Sequence, residues 1–285
     1  MLVLLFAFLC PPQLQAAPLK VMLVLSEGSR AYQEFSAELQ RNQSTQFTLQ
    51  VSFVGDPVQD ADLLVAVGMK AATALSYSDK PVLNALVPSA GYTKLQRSTS
   101  QNFSAVFIDQ PIERQIALIS KTLPAAKSLG VLHSSFFDAV SLRQVSAKRG
   151  LSLQTRVVNE THSLASALGE LLAQIDVLLV IPDPAIYNSD TIRNILLATY
   201  REKVPLVGLS SSYVRAGALC AVYSTPQQIA RQTASVIEQF SVTGKLPPVQ
   251  YANDFGVAVN TRVARSLNLT IEDEEQLRRE LMGEQ

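Results

Sequence analysis

Polar residues that could bind a small charged molecule follow several apolar segments of this sequence. Hydroxyl groups and backbone amides at helix starts attract anions, because unpaired N–H groups and the helix dipole both favour negative charge. Glu27 or Asp183 could pair with an ammonium group, so the set suits an amino-acid-like zwitterion. The candidate ligand-binding residues are Ser26, Glu27, Gly68, Met69, Lys70 and Ser89 in the first half, and His133, Ser134, Ser135, Asp183, Ser210 and Ser211 in the second.

A purely structural role is an open alternative for many of these residues. The serines that could simply cap helices are Ser134, Ser135, Ser210 and Ser211. Asp183 lies between two prolines at the end of an apolar run, where it could form a turn instead of binding a cation. Lys70 could equally be a solvated surface residue.

The sequence lacks the short motifs of common catalytic sites. It contains no Gly-x-Gly-x-x-Gly, no phosphate loop and no Gly-x-Ser-x-Gly. Its two histidines and two cysteines have no metal-ligand spacing, so we predict neither a metal nor a cofactor. His133, Ser134 and Asp183 could be drawn as a triad, but neighbours in one turn rarely point at each other. We therefore predict no enzyme and no catalytic residues, and a hydrolase is the least favoured alternative.

The composition indicates a folded protein without a nucleic-acid partner. Hydrophobic residues make up 47% of the 285 residues, which is enough for substantial cores. Lysine plus arginine and aspartate plus glutamate number 24 each, so the net charge is zero. A nucleic-acid binder would carry a basic excess, and none is present.

The N-terminus predicts export. Leu2 to Leu9 is a short apolar run, Pro11-Pro12 breaks it, and Gln15-Ala16-Ala17 offers small residues for cleavage. This pattern is typical of a signal peptide, predicted at residues 1–17, and the run is too short to span a bilayer. A disordered or buried hydrophobic N-terminus is the alternative. Cleavage would leave Cys220 as the one remaining cysteine, and export without disulfides favours the periplasm.

Two long apolar segments indicate how the candidate residues are positioned. Ile175 to Pro184 reads as a strand buried on both faces, and Ala61 to Gly68 is its earlier counterpart. Each is followed by a helical segment and by a strand that starts at a proline, Pro81 or Pro205. Strands alternate with helices throughout, which predicts an α/β protein with parallel sheets.

The same pattern gives expectations for smaller elements. Pro88 to Gly91 is predicted to be a loop, and Thr225-Pro226 is predicted to start a long helix, because proline favours the first helical turn. The segment from Glu272 onwards is predicted to be a charged tail.

Several short motifs follow one another in a fixed order along both halves of the chain. In the first half they are Leu64 to Gly68, Ala71 to Leu75 and Lys80-Pro81-Val82. In the second half they are Asp176 to Asp183, Val204 to Val207, Arg215 to Leu219, Ala230 to Ala234, Gly244 to Pro247, Val259 to Thr261 and Leu267 to Thr270. This order resembles the ABC-transporter substrate-binding proteins, in the group that includes tryptophan- and aromatic-amino-acid-type binders. The resemblance spans roughly Leu19 to Ile271 and departs from the family pattern at Met69-Lys70 and at His133 to Val140.

This resemblance implies two similar Rossmann-like lobes with the type I periplasmic binding protein architecture and three inter-lobe crossings. The expected N-terminal lobe is 18–109 plus 225–252, and the expected C-terminal lobe is 110–223 plus 253–285. Crossings are expected near Asp109-Gln110, Tyr223-Ser224 and Tyr251 to Asn253.

The implied function is capture of a small polar solute, amino-acid-like favoured, in the cleft between the lobes by hinge closure. Implied partners are the solute and the membrane permease and ATPase of an ABC importer, and a monomer is expected. The alternative is a ligand-sensing or partner-binding module of the same fold without a transport role.

Overall fold

The computed structural model describes residues 17–57, 60–96, 102–134 and 139–283. The chain begins with β1 (Leu19–Leu25), α1 (Arg30–Arg41), β2 (Phe47–Phe53), β3 (Leu63–Val67), α2 (Met69–Ala74), β4 (Val82–Val87), α3 (Ser89–Gln96) and β5 (Phe103–Phe107). It continues with α4 (Ile112–Thr122), β6 (Ser128–His133), α5 (Ala139–Lys148), β7 (Ser152–Val157), α6 (Leu164–Leu172), β8 (Val177–Leu179), α7 (Ile192–Arg201), β9 (Leu206–Gly208), α8 (Ser211–Ala216) and β10 (Cys220–Tyr223). It ends with α9 (Pro226–Thr243), β11 (Gln250–Tyr251), β12 (Gly256–Val259), α10 (Thr261–Ser266) and α11 (Glu274–Gly283).

The strands form two six-stranded sheets, one in each lobe. Their orders are β11-β5-β4-β3-β1-β2 in the first lobe and β12-β10-β9-β8-β6-β7 in the second. The described pairs are parallel except β10 with β12, which is antiparallel at the edge of its sheet. The predicted α/β class with two similar lobes is therefore confirmed.

The chain passes between the lobes three times. It leaves the first sheet after β5, returns after β10, and leaves again between β11 and β12. The three connecting segments are residues 108–111, 224–225 and 252–255. The predicted number of crossings is confirmed, whereas the residue boundaries of the lobes stay a prediction.

Apolar layers cover both faces of each sheet. In the first lobe, Phe35 of α1 and Ile237 of α9 pack on one face, and Leu75 and Tyr92 pack on the other. In the second lobe, α4, α5 and α11 cover one face and α6, α7 and α8 cover the other. Because both faces are covered, all five residues of the central strand β3 are buried. Full burial of each such Val or Leu side chain contributes roughly 1.5–3 kcal/mol.

The ends of α9 follow the sequence closely. The hydroxyl of Thr225 accepts from the backbone of Gln228, whose side chain accepts in return from the Thr225 backbone, and Pro226 begins the helix. Gly244 ends it in the left-handed conformation, with φ of 66°, which glycine adopts without a Cβ clash. The predicted start of this helix is confirmed.

Two local predictions are wrong. The predicted loop at Pro88 to Gly91 is largely helical, because α3 begins at Ser89. The predicted charged tail contains α11, whose Leu277 and Leu281 lie four residues apart and are buried against the second lobe. Its many charges hide this narrow apolar face in the sequence.

An aspartate joins neighbouring strands at the amino edge of each sheet. In the first lobe, Asp62 accepts from the backbone N–H of Lys20 at 2.8 Å. In the second lobe, Asp176 accepts from the backbone N–H groups of Lys127 and Ser128 at 2.7 and 2.9 Å, and from the Ser128 hydroxyl at 2.8 Å. These contacts hold β1 to β3 and β6 to β8 at the edge opposite the candidate site.

Candidate functional site

The carboxyl edges of the two sheets lie where the lobes meet. The crossings after β5 and β10 are short and leave from the carboxyl ends of their strands. In open α/β sheets, ligands bind beyond these ends, at the switch point where the strand order reverses. The strand orders place the switch points between β1 and β3 in the first lobe, and between β6 and β8 in the second.

Ser26 and Gly68 form the first switch point. The Ser26 hydroxyl donates to the carbonyl of Val67 at 2.7 Å and accepts from the backbone N–H of Ala71 at 2.9 Å. Through these two bonds the buried Ser26 side chain connects the end of β1 to the start of α2. The structure thus assigns this candidate ligand residue a structural contact within its own lobe.

The ring of Tyr32 covers the backbone of Gly68. Gly68 has a φ of 83°, and a Cβ there would lie 2.2 Å from the Tyr32 hydroxyl and 2.8 Å from the Ser26 hydroxyl. Burial raises the pKa of Tyr32, and the charge of exposed Glu27 raises it further. Tyr32 is half-buried, so part of its ring remains accessible beside Gly68.

The other two first-lobe candidates of this turn face different surroundings. Met69 begins α2 and its sulfur packs against Gly91, where a Cβ would come within 2.7 Å. Lys70 follows it and is exposed. Of this pair, Lys70 is the exposed residue and Met69 is packed within the lobe.

Ser134 and Asp183 meet at the second switch point. The Ser134 backbone N–H donates to Oδ2 of Asp183 at 2.7 Å, and its hydroxyl donates to Oδ1 at 2.8 Å. Ala185 N–H donates to Oδ1 at 3.2 Å, and Asp183 is 7% exposed. The carboxylate therefore fixes the turn after β6, and the Ser134 hydroxyl donates its hydrogen bond to Asp183.

The remaining second-lobe candidates lie around this pair. His133 ends β6 and is half-buried. Ser210 precedes α8 without a side-chain cap bond, and the Ser211 hydroxyl accepts from Arg215 at 3.1 Å. Ser135 lies outside the described residues.

Asp109 is a polar residue at the carboxyl edge that the sequence analysis placed only at a crossing. The backbone N–H of Ser89 donates to its Oδ1 at 2.8 Å, and the Ser89 hydroxyl donates to its Oδ2 at 2.5 Å. Burial raises the pKa of Asp109, and the two Ser89 bonds oppose that rise. The sequence signal for Asp109 is an aspartate directly after an apolar strand, which is also the signal that marks Asp183 as a candidate.

A closed ring of hydrogen bonds joins the three crossings. Gln110 donates to Ser224 at 2.9 Å, and Ser224 donates to the carbonyl of Asp254 at 2.8 Å. Arg114 bonds to the side chain of Gln110 and to the carbonyl of Ala252. Its guanidinium also lies 4.1 Å from the ring centroid of Phe255, and burial lowers its pKa to about 10. Each crossing is thus tied to the other two; we call this set the hinge ring.

Two concave regions lie beside the hinge ring. A cavity of about 460 Å³ is lined by Glu113, Arg114, Arg149, Tyr251 and Leu281, among others. A polar groove of about 320 Å³ runs along α9 and shares Gln250 and Asn253 with it. None of the eleven candidate residues that the structure describes lines either region.

The described residues contain no group of three or more histidine, cysteine, aspartate or glutamate side chains placed to hold a metal ion. Cys220 is buried without a disulfide, and burial raises the pKa of its thiol to about 12. Within the same residues, no helix has the length and apolar character of a membrane span.

Two lobes with facing carboxyl edges and three crossings define the class of two-lobed binding folds. The family model for ABC transporter substrate binding proteins matches residues 32–279. The chain belongs to this family, which confirms the resemblance seen in the sequence. A search of curated proteins gave no match.

Solved structures share the fold. The ABC domain from Streptococcus pneumoniae in complex with L-Trp is 20% identical with a TM-score of 0.66, covering 91% of this chain and 98% of that one. A conserved domain protein from Vibrio cholerae is 23% identical with a TM-score of 0.64, covering 90% and 96%. A ligand-free, open substrate binding protein with adhesive properties from Clostridium difficile is 15% identical with a TM-score of 0.67, covering 90% and 96%.

Proposed function

We propose that this chain is an exported protein that captures a small polar solute, amino-acid-like favoured, between its lobes for an ABC importer. Family membership across both lobes is the observation that carries the proposal. The polar residues at both carboxyl edges support it, because a solute between the lobes would contact both.

Closure would follow from those contacts. A solute that touches both lobes binds the closed form better than the open one and shifts the equilibrium towards it. The hinge ring links the three crossings, so their backbones would change together and each lobe would rotate as a rigid body. The permease and ATPase would then respond to the closed form.

The first experiment is a thermal-shift screen of the purified chain against L-amino acids, amines, sugars and other small polar solutes. A solute at about 100 times its Kd stabilises the fold by about 2.7 kcal/mol. Small-angle scattering should show a smaller radius of gyration with the stabilising solute. A screen in which no compound stabilises the protein would contradict solute capture and favour the partner-binding alternative.

Export needs its own test. Expressed with its N-terminus in a bacterium, the protein should appear in the periplasmic fraction and begin at residue 18. Recovery in the cytoplasm with Leu2 to Leu9 intact would contradict export without affecting the solute proposal.

A further inference from the structure

Three neighbouring strands of the first lobe end in polar side chains. Ser89 follows β4, Asp109 follows β5, and Tyr251 ends β11. Ser89 donates both its N–H and its hydroxyl to Asp109, and the Tyr251 ring packs edge-on against Phe107, the last residue of β5, at a centroid distance of 5.2 Å. The Asp109 carboxylate is therefore fixed by Ser89 beside the first crossing, with Tyr251 on the neighbouring strand.

In the part of the chain that the structure describes, no charged partner offsets the burial of the Asp109 carboxylate, and Arg114 of α4 bonds instead to Gln110 and Ala252. Among the described residues, no lysine or arginine forms an ion pair with Asp109. Exposed Glu113, on the first turn of α4, adds a second carboxylate, and both raise the pKa of Tyr251 after the larger effect of burial. A half-buried carboxylate in such surroundings is stabilised by a cation.

Asp109 has acceptor capacity left. A carboxylate has about four lone-pair sites, and Ser89 occupies two of them. Asp183 in the other lobe uses Ser134 and Ala185 as donors and is 7% exposed. Asp109 is more exposed, so a ligand group can approach it.

We propose that Asp109, positioned by Ser89 and flanked by Tyr251, binds a protonated amine of the solute at the hinge end of the cleft. The proposal rests on the proposed function and adds the chemical class of the ligand. The ammonium group donates a charge-assisted hydrogen bond to the carboxylate, and a second N–H can reach the Tyr251 oxygen. A sugar or a carboxylic acid without an amine supplies no such cation.

The same contact predicts pH dependence. Only the ionised Asp109 attracts an ammonium group, so amine affinity should fall as the pH is lowered through the raised pKa of this carboxyl. The other titratable groups on the neighbouring turns are Tyr251 of β11, Tyr92 and Lys94 of α3, and Glu113 and Arg114 of α4. Arg114 bonds to Gln110 and Ala252 and keeps its charge throughout this range. Tyr251 stays protonated in this range because its own pKa is raised.

The test compares amines with their deaminated analogues by calorimetry. The probes are L-phenylalanine, L-tryptophan and L-leucine, with hydrocinnamate, indole-propionate and isocaproate as analogues, then putrescine, and D-ribose and D-glucose as neutral solutes. Wild type should bind at least one amine in preference to its analogue. Asp109→Asn should weaken that binding by at least about tenfold, equal to about 1.4 kcal/mol, and change analogue binding by less than about twofold.

Asp176→Asn is the matched control, because Asp176 also accepts from a serine N–H and hydroxyl but lies at the opposite sheet edge. It should leave amine binding unchanged. An Asp109→Asn protein that is folded and still prefers the amine overturns the assignment. Binding of neutral solutes without any amine overturns it and leaves the proposed function standing, whereas binding of nothing by wild type overturns both.

Discussion

The two switch points share a topology and differ in chemistry. In the first lobe, Gly68 has no side chain, and the Tyr32 ring lies across its backbone. In the second lobe, the turn after β8 carries the buried carboxylate of Asp183, which accepts from the N–H and the hydroxyl of Ser134. The first switch point thus consists of the Tyr32 phenol and the Gly68 backbone, whereas the second is a turn held by the Asp183 carboxylate. The difference shows that the internal repeat preserves the sheets and not the surface that a solute would contact.

The largest effect should come from Gly68→Ala, which places a Cβ against Tyr32 in the first lobe. A positive φ costs a non-glycine residue about 1–2 kcal/mol, and overpacking adds about 1–3. We expect the free energy of unfolding, measured with urea, to fall by about 3 kcal/mol.

Gly150→Ala is the matched control, because Gly150 has a φ of 73° and no atom within 4 Å of the added Cβ. It should lose only the backbone part, about 1–2 kcal/mol. Equal losses for the two variants would show that Tyr32 does not restrict this switch point.

Asp183→Ala tests the second lobe. It removes the acceptor of the Ser134 N–H, the Ser134 hydroxyl and the Ala185 N–H. Unpartnered buried donors are costly, so we expect a loss of about 2–3 kcal/mol in the free energy of unfolding. Asp190→Ala, at an exposed position after the same strand, should change it by less than about 0.5 kcal/mol. A small loss at Asp183 would mean that the turn is held by other contacts.

The sequence predicted the sheets better than the site, for a physical reason. An apolar run such as Ala61 to Gly68 indicates a buried strand from consecutive residues alone, so the alternation of strands and helices is visible in the sequence. The bond between Ser134 and Asp183 joins residues 49 positions apart, and no local pattern encodes it. The sequence marks both residues as ligand candidates, whereas their pairing depends on the fold.

Other features depend on contacts that no local pattern contains. The sequence predicts Asp109 only as part of a crossing, because its contact with Ser89, 20 positions away, depends on the pairing of β4 with β5. The apolar face of α11 consists of Leu277 and Leu281 among many charges. The hinge ring unites three segments that are distant in sequence.

Ser224→Ala tests whether the lobes close as rigid bodies. The change removes the second crossing from the hinge ring, since Ser224 accepts from Gln110 and donates to Asp254. Freer lobes lose more entropy on closure, so we expect the Kd of a stabilising solute to rise about fivefold, equal to about 1 kcal/mol. Ser235→Ala, on the outer surface of α9, should leave the Kd unchanged. An unchanged Kd for Ser224→Ala would show that the hinge ring does not affect lobe closure.

The smallest effect concerns the amino edges, where the lobes also differ. Asp176 accepts three hydrogen bonds and Asp62 accepts one, so Asp176→Asn should lower the free energy of unfolding by about 1 kcal/mol and Asp62→Asn by about half as much.

The Lys127 N–H bond, opposed by partial burial, lowers the pKa of Asp176. Because the pKa of Asp176 is lower in the folded protein than in the unfolded chain, its ionised form stabilises the fold at any pH above the unfolded pKa of about 4. This stabilisation is lost as the pH falls through the pKa of the folded protein. Urea denaturation should therefore show the Asp176→Asn loss near neutral pH and a smaller one near pH ~2–3. A loss that does not change with pH would show that the charge of Asp176 is not what holds β6 to β8.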